Sequence, residues 1–220
     1  MPDPFFQFVP DFEYVSRLPG ASISEYVTVK NLFRRAKLNP EIFNDLTNFT
    51  QYKIIGDERP DQVANKIYQN PYYDWVVLLS NNTIDLVNEW PLSQGSLQNY
   101  MTSKYGSDDK FLEPNHYETT RQIDSTGKTV LPAGLQVPKS FTFSYFDSGN
   151  KVTRRNITKV VTNLDYEENI QLNKRNIFLM RPEFLSEAIV NLEEIMLIRK
   201  GSTQYVNNTT SRGENIRIYQ

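Results

Sequence analysis

The sharpest change of hydrophobic period in the chain falls between residues 52 and 92. Tyr52-Lys53-Ile54-Ile55 is a short β-type run closed by Gly56-Asp57. Pro60 stands where a helix begins without needing its missing N–H. Val63, Ala64 and Ile67 then fall at i, i+1 and i+4, one apolar face over two turns. Asn70-Pro71 restarts the chain as an N-cap followed by a first-turn proline. Trp75, Leu78 and Leu79 repeat the facing pattern, and Asn81-Asn82 ends it. The spacing predicts a strand, a tight acidic turn and two compact helices that pack against each other. Beyond Glu89-Trp90-Pro91-Leu92-Ser93, a third helix is expected with Leu97, Tyr100, Met101 and Tyr105 on one face, Ser96 as its N-cap and Gly106 as its stop.

The flanking segments carry weaker signals. Residues 1–26 hold four prolines and one glycine among Phe5, Phe6, Phe8, Phe12 and Tyr14. Proline forbids a long helix there, and the aromatics are too many for a solvated tail. The arm must lie on its own domain or on a neighbour; the neighbour is the favoured reading, because extended apolar arms commonly tie subunits together. Val27–Leu38 reads as a strand passing into a basic turn or short helix, and Pro40–Leu46 as a short helix opened by Asn39. Phe141, Phe143 and Tyr145 alternate with Thr142 and Ser144, and Lys151–Thr162 is the expected returning strand of a hairpin. Asp124-Ser125-Thr126-Gly127 and Asp147-Ser148-Gly149-Asn150 are turn clusters. A short helix at Tyr166–Lys174 and a buried strand at Ile177–Met180 precede the clearest helix, opened by Pro182. Its stripe is Leu185, Ala188, Ile189, Leu192, Ile195 and Met196, with Arg199-Lys200 suited to its end. A last strand is expected at Asn215–Tyr219.

Composition narrows the function. A chain of 220 residues is long enough for one or two domains. Thirteen Phe and thirteen Tyr stand against two Trp, which suits a Tyr-rich interface or a Tyr-rich core. The net charge of −2 argues against a nucleic-acid binder, which needs a basic stripe to displace counterions. Basic pairs at Arg34-Arg35, Arg154-Arg155, Lys174-Arg175 and Arg199-Lys200 read as solvated faces or local ion pairs, or else as contacts to acidic patches on a partner protein. Without cysteine there are no disulfides and no thiolate metal sites, which suits a protein made and assembled in a reducing cytoplasm. No apolar run reaches a membrane span of about 20 residues.

The single histidine, His116, reads as a surface loop residue rather than a base, without a neighbouring ligand for a metal. No phosphate loop or nucleophile elbow is present. Asp108-Asp109, Glu167-Glu168 and Glu193-Glu194 are read as solvated charges rather than a glycosidase pair. The expectation is therefore a protein that is not an enzyme, with no catalytic residues, no cofactor and no metal.

Two resemblances add to this reading. Tyr52, Ile54, Gly56, Asp57, Ala64, Leu78, Asn81 and Ile84 follow the loose pattern of the LysM fold, with Glu58 where that pattern has threonine and no closing strand directly after Ile84. Those positions, with Pro60 and Trp75, are taken as the structural module. Four longer passages resemble the baseplate wedge protein 53 family of contractile-tailed bacteriophages. They are Asn31–Leu38, the Gly56–Asp61 turn with the Tyr72–Trp75 helix, Glu89–Ser93, and Leu172–Leu179 leading into Arg181-Pro182-Glu183. The fold expected is α+β. It comprises an extended N-terminal arm with short elements (1–50), a LysM-like β-α-α module with its following helix (51–106), a loop and β-hairpin insertion resting on that module (107–165), and a C-terminal strand-helix region and tail (166–220).

The family resemblance implies a virion protein in several copies per baseplate, joining wedges into a ring around the hub. Its implied partners are a long helical wedge subunit, a small sheath-like subunit and adjacent wedges, with neither nucleic acid nor membrane among them. Phe5, Phe6, Phe8, Phe12, Tyr14, Tyr72 and Tyr73 are the expected contact residues, while Trp75 is left between core and interface, with core preferred. The alternative is a glycan-binding module of the LysM type gripping peptidoglycan through Gly56, Asp57 and the Asn81–Ile84 region.

Overall fold

The computed structural model describes residues 4–22, 24–201 and 203–213. The chain opens with α1 (Phe5–Phe8), β1 (Asp11–Val15), β2 (Tyr26–Lys30), α2 (Pro40–Asn44) and β3 (Phe49–Lys53), then α3 (Pro60–Tyr68), α4 (Asp74–Ser80) and α5 (Leu86–Glu89). Next come α6 (Gln94–Tyr105), β4 (Pro114–Thr119), β5 (Gln122–Ile123), β6 (Thr129–Leu131), β7 (Gln136–Val137), β8 (Phe143–Asp147), β9 (Asn150–Arg154), β10 (Thr158–Thr162) and α7 (Asn163–Lys174). The end holds β11 (Asn176–Met180), α8 (Leu185–Met196), β12 (Tyr205–Asn207) and β13 (Thr210–Arg212). The α+β class expected from the sequence is the observed one. The strand expected at 215–219 lies outside the described residues.

The elements gather into two compact units, one of residues 1–90 with 176–220 and the other of 91–175. These cut across the four segments drawn from sequence pattern.

In the first unit, β3 pairs antiparallel with β11, with Phe49 opposite Met180 and Lys53 opposite Asn176. The partner of the first strand of the 52–92 stretch is thus a strand far downstream. Helix α4 buries Trp75, Val76, Val77 and Ser80, so it is enclosed on nearly every side, as expected of a helix apolar all round. Trp75 and Val76 join Val9, Leu38, Ile42, Met180, Ala188, Leu192 and Met196 in one core. Val77 joins Ile54, Val63, Ala64, Trp90, Ile177 and Leu179 in another. Each fully buried aliphatic side chain there contributes about 1.5–3 kcal/mol.

A four-stranded sheet in the order β12-β13-β1-β2 completes the unit, with β1 antiparallel to β2 and parallel to β13. The apolar stripe read on α8 holds: Ala188, Leu192 and Met196 are buried. Arg34, rather than Arg199-Lys200, closes the end of this helix. Its Nη2 donates to the Ile195 and Leu197 carbonyls, both at 3.0 Å, satisfying acceptors that a helix end leaves orphaned.

In the second unit, β4 lies between β10 and β7. The expected returning strand at 151–162 is two strands. β9 returns on β8, whereas β10 pairs with β4, because Arg155-Asn156, with Asn156 at φ +56°, break the run. Ser93, not Ser96, caps α6: its Oγ accepts the Ser96 N–H at 3.2 Å. Leu97, Met101 and Phe111 form the small core beneath that helix, while Tyr100 stays exposed.

Candidate interaction surfaces

The N-terminal aromatics divide. The ring centroids of Phe5 and Phe8 lie 6.4 Å and 5.9 Å from that of Trp75, and both side chains pack on the core of their own unit. For these two, the neighbour reading is corrected. The four-residue α1 folds the arm back, so that their apolar area is buried within the chain. Phe6 and Tyr14 remain exposed. Phe12 is half-buried, with its ring against Gly213. Tyr72 is exposed, whereas Tyr73 lies edge-on to Tyr68 and Trp75. Trp75 is core, and its indole N–H finds no acceptor among the described residues.

The polar residues of the 52–92 stretch are tied into the fold. Glu58 Oε2 accepts the Tyr52 hydroxyl at 2.8 Å and the Ile55 N–H at 3.1 Å, its Oε1 lies 3.2 Å from Lys66 Nζ, and its carbonyl accepts the Trp90 indole N–H at 2.9 Å. Burial works against the charge on Glu58, but the Ile55 N–H, the Tyr52 hydroxyl and the Lys66 ammonium together hold its carboxyl below the usual range. Gly56 has φ +60°, the left-handed conformation that the turn requires. Pro60 starts α3, and Ala64 is fully buried inside it. Asn81 Nδ2 donates to the Val77 and Phe178 carbonyls, and its Oδ1 accepts the Phe178 N–H, all at 2.8 Å. Ile54 and Leu78 pack in the core while Ile84 is exposed, and the Asp57 side chain is exposed as well. Burial raises the carboxyl of Asp74 and the phenol of Tyr68 above their ordinary values.

Two sequence expectations about charge change. His116 sits on β4 rather than in a loop, half-buried between Asn115 Oδ1 at 2.9 Å and Glu118 Oε1 at 3.2 Å, with Tyr166 edge-on. Glu167 is buried, not solvated. It takes the Lys104 ammonium at 2.6 Å and the Tyr105 hydroxyl at 2.8 Å, and that bond raises the Lys104 ammonium above its ordinary value. Among the described residues, no group of three or more His, Cys, Asp or Glu side chains could hold a metal ion.

What remains free of such commitments is apolar or charged surface. Phe33 is 99% exposed and Leu32 73%. They form the tip of a turn fastened by Arg34 on α8 and by Arg35, which donates to Asn82 Oδ1 at 2.9 Å. Sequence reasoning missed this tip, although an apolar pair inside a basic run was its signal. A cleft of about 440 Å³ in the same unit is lined by Glu41, Asp45, Glu187 and Glu194 around Ile42, Phe184 and Val190. In the second unit the β8–β9 ribbon projects Phe146, 75% exposed.

The comparisons with known proteins bear on these surfaces. A family model described as "Base plate wedge protein 53" matches residues 4–122, more than half of the chain. The chain is 39% identical over 54 residues to the baseplate wedge protein gp53 of Enterobacteria phage T4. That match covers 24% of this chain and 28% of the T4 protein, so the two correspond over about a quarter of the relative's length. With the family match spanning from α1 to β5, the protein belongs to the base plate wedge protein 53 family.

Proposed function

We propose that the chain is a structural subunit of the phage tail baseplate, holding neighbouring wedge proteins by adhesive area and catalysing nothing. The observation that carries this, beside the family, is how its polar groups are spent. Glu58, Asn81, Glu167 and Arg34 each complete internal hydrogen bonds, while large apolar side chains such as Phe33 and Phe146 face solvent. Exposed aromatics of this kind are the usual anchors of protein contacts. Tyr72, Phe6 and Tyr14 keep the expected role of contact residues, beside Phe33. The partners are other wedge proteins, a long helical one and a small sheath-like one among them, and adjacent wedges. The protein resides in the virion, after assembly in the host cytoplasm.

The glycan-binding alternative, through Gly56, Asp57 and the Asn81–Ile84 region, has less support, because the Asn81 amide would have to abandon its bonds to Val77 and Phe178 to meet a sugar. Mixing the purified chain with purified wedge subunits, and separately with peptidoglycan, tests the proposal. Stoichiometric incorporation into a wedge complex is expected. Saturable retention on peptidoglycan with no incorporation would overturn it.

A further inference from the structure

The ribbon of β8 and β9 pairs with no other strand among the described residues. A lone two-stranded hairpin is marginal in water and gains from a partner. Ser148 and Gly149, at φ +48° and +85°, form a tight two-residue turn with both centres left-handed. The register places Phe146 opposite Lys151 and Ser144 opposite Thr153, and the two hydroxyls of the latter pair hydrogen-bond at 2.8 Å. All four side chains of this face are exposed. The opposite face, with Tyr145 and Asp147, turns to the β5–β6 hairpin, where the Asp147 carboxylate accepts the Ser125 N–H at 3.0 Å and Tyr145 reaches the Ile123 carbonyl.

Residues 139–159 carry Lys139, Lys151, Arg154, Arg155 and Lys159 against the single acid Asp147. None of the five makes an ion pair among the described residues. The chain as a whole has a net charge of −2, so its compensating acid lies elsewhere. The cleft between α2 and α8 holds four carboxylates, Glu41, Asp45, Glu187 and Glu194, none of them ion-paired among the described residues and with no basic residue in the lining. Its apolar members Ile42, Phe184 and Val190 offer a seat for one aromatic ring.

We infer that the outward face of the β8–β9 hairpin, led by Phe146 and Lys151, docks into the acidic α2–α8 cleft of a second copy of this chain. Such a contact is heterologous, one surface meeting a different surface on the next copy. Repeated, it closes a ring when the rotation per copy fits. That place in the assembly, between chains of adjacent wedges, rests on the proposed wedge function; the contact itself rests on the two surfaces. An aromatic anchor with charges at its rim is how protein contacts are built. Duplex DNA would find too few phosphate contacts here against an acidic chain.

Sedimentation of the full chain at low and high salt tests the contact. Concentration-dependent self-association, weakened by screening salt, is expected. Lys151→Glu and Glu187→Lys should each weaken it at least tenfold while leaving the circular dichroism and melting temperature unchanged. Mixing those two variants should restore association between unlike chains, because the unaltered hairpin of one then meets the unaltered cleft of the other, and the reversed hairpin meets the reversed cleft. Arg155→Glu, outside both strands, repeats the hairpin arm should Lys151→Glu misfold. A wild-type chain that stays monomeric, single variants that associate normally, or a mixture that fails to recover would overturn the inference. So would a hairpin variant whose only loss is binding to duplex DNA or to another purified wedge subunit. A chain that enters wedge complexes but never self-associates sinks this contact alone. One that self-associates but enters no wedge complex sinks the wedge function instead.

Discussion

Replacing Asn81 with alanine is the most direct test of how the first unit holds together. The amide joins the end of α4 to the outer edge of β11 through two bonds to the Phe178 backbone, and it holds the Val77 carbonyl as well, each at 2.8 Å. Three hydrogen bonds at about 0.5–1.5 kcal/mol each set an upper range of about 1.5–4.5 kcal/mol. Phe178 is exposed, so water can reach the N–H and carbonyl left behind, and the lower half of that range is expected, about 1.5–3 kcal/mol. Denaturant unfolding followed by circular dichroism measures the loss, and amide exchange at Phe178 localises it. Asn81→Asp should do no better. It keeps an acceptor for the Phe178 N–H, but it places a carboxylate against two carbonyls. If Asn81→Ala changes stability by less than about 0.5 kcal/mol and leaves Phe178 protection intact, the staple carries none of the weight assigned to it.

Phe8→Ala should cost about 2–3 kcal/mol, below the full cost of a buried ring because Phe8 is only partly enclosed; deleting residues 1–10 should lower the melting temperature still further, where an arm serving only a neighbour would leave it unchanged. Glu58 has a folded-state pKa below its ordinary 4.5, so its contribution is present above that value and disappears as pH falls through the lower folded one. Glu58→Gln should therefore flatten the melting temperature against pH on the acid side of about 4.5, and an unchanged profile would assign acid sensitivity elsewhere. Lys104→Met strands the buried Glu167 carboxylate with only the Tyr105 hydroxyl; because the Lys104 side chain is 42% exposed, the expected loss is about 2–3 kcal/mol rather than the full cost of a broken buried pair, read by urea unfolding at neutral pH. Since pairing raises the Lys104 pKa, the wild-type advantage should persist below the unfolded value and fade only as the pH rises through the folded one.

Local period made the helices legible. The α8 stripe and the Val63-Ala64-Ile67 face rest on which residues must share a side, the starts at Pro60 and Pro71 on a proline that needs no N–H there, and the structure places them so. Partner choice was not legible, because a period of two states that a strand has a buried face and not which strand lies beside it. The 151–162 run therefore read as one returning strand, although β10 belongs to β4. The arm failed for a related reason. Prolines and aromatics exclude a long helix and a free tail, but they do not say whose core receives Phe5 and Phe8. At the 52–92 stretch the residue types were visible and their uses were not. Asn81 is a surface-type residue drawn inward by the Phe178 backbone, brought from far along the chain, whereas Glu58 turns back on Tyr52 and Ile55 of its own turn, a use that a period of apolar positions does not reveal.

A polar side chain is available to a partner only if withdrawing it costs the fold little. For Glu58 the withdrawal would break its bonds to the Tyr52 hydroxyl, the Ile55 N–H and the Lys66 ammonium at once, three bonds at about 0.5–1.5 kcal/mol each. The cost falls toward the lower end, because Lys66 keeps its bond to the Tyr52 hydroxyl and both Lys66 and Ile55 are open to water. For Phe33, held out on a turn whose two arginines are already bonded elsewhere in the unit, contact with a partner removes apolar area from water and breaks nothing. The same asymmetry separates the β8–β9 face from Glu167. Lys151 and Phe146 are free to change neighbours, whereas Glu167 is not. Binding in this chain is therefore expected to follow exposed aromatics and unpaired charge, and substitutions at its most fully bonded polar residues should register as lost stability before they register as lost assembly.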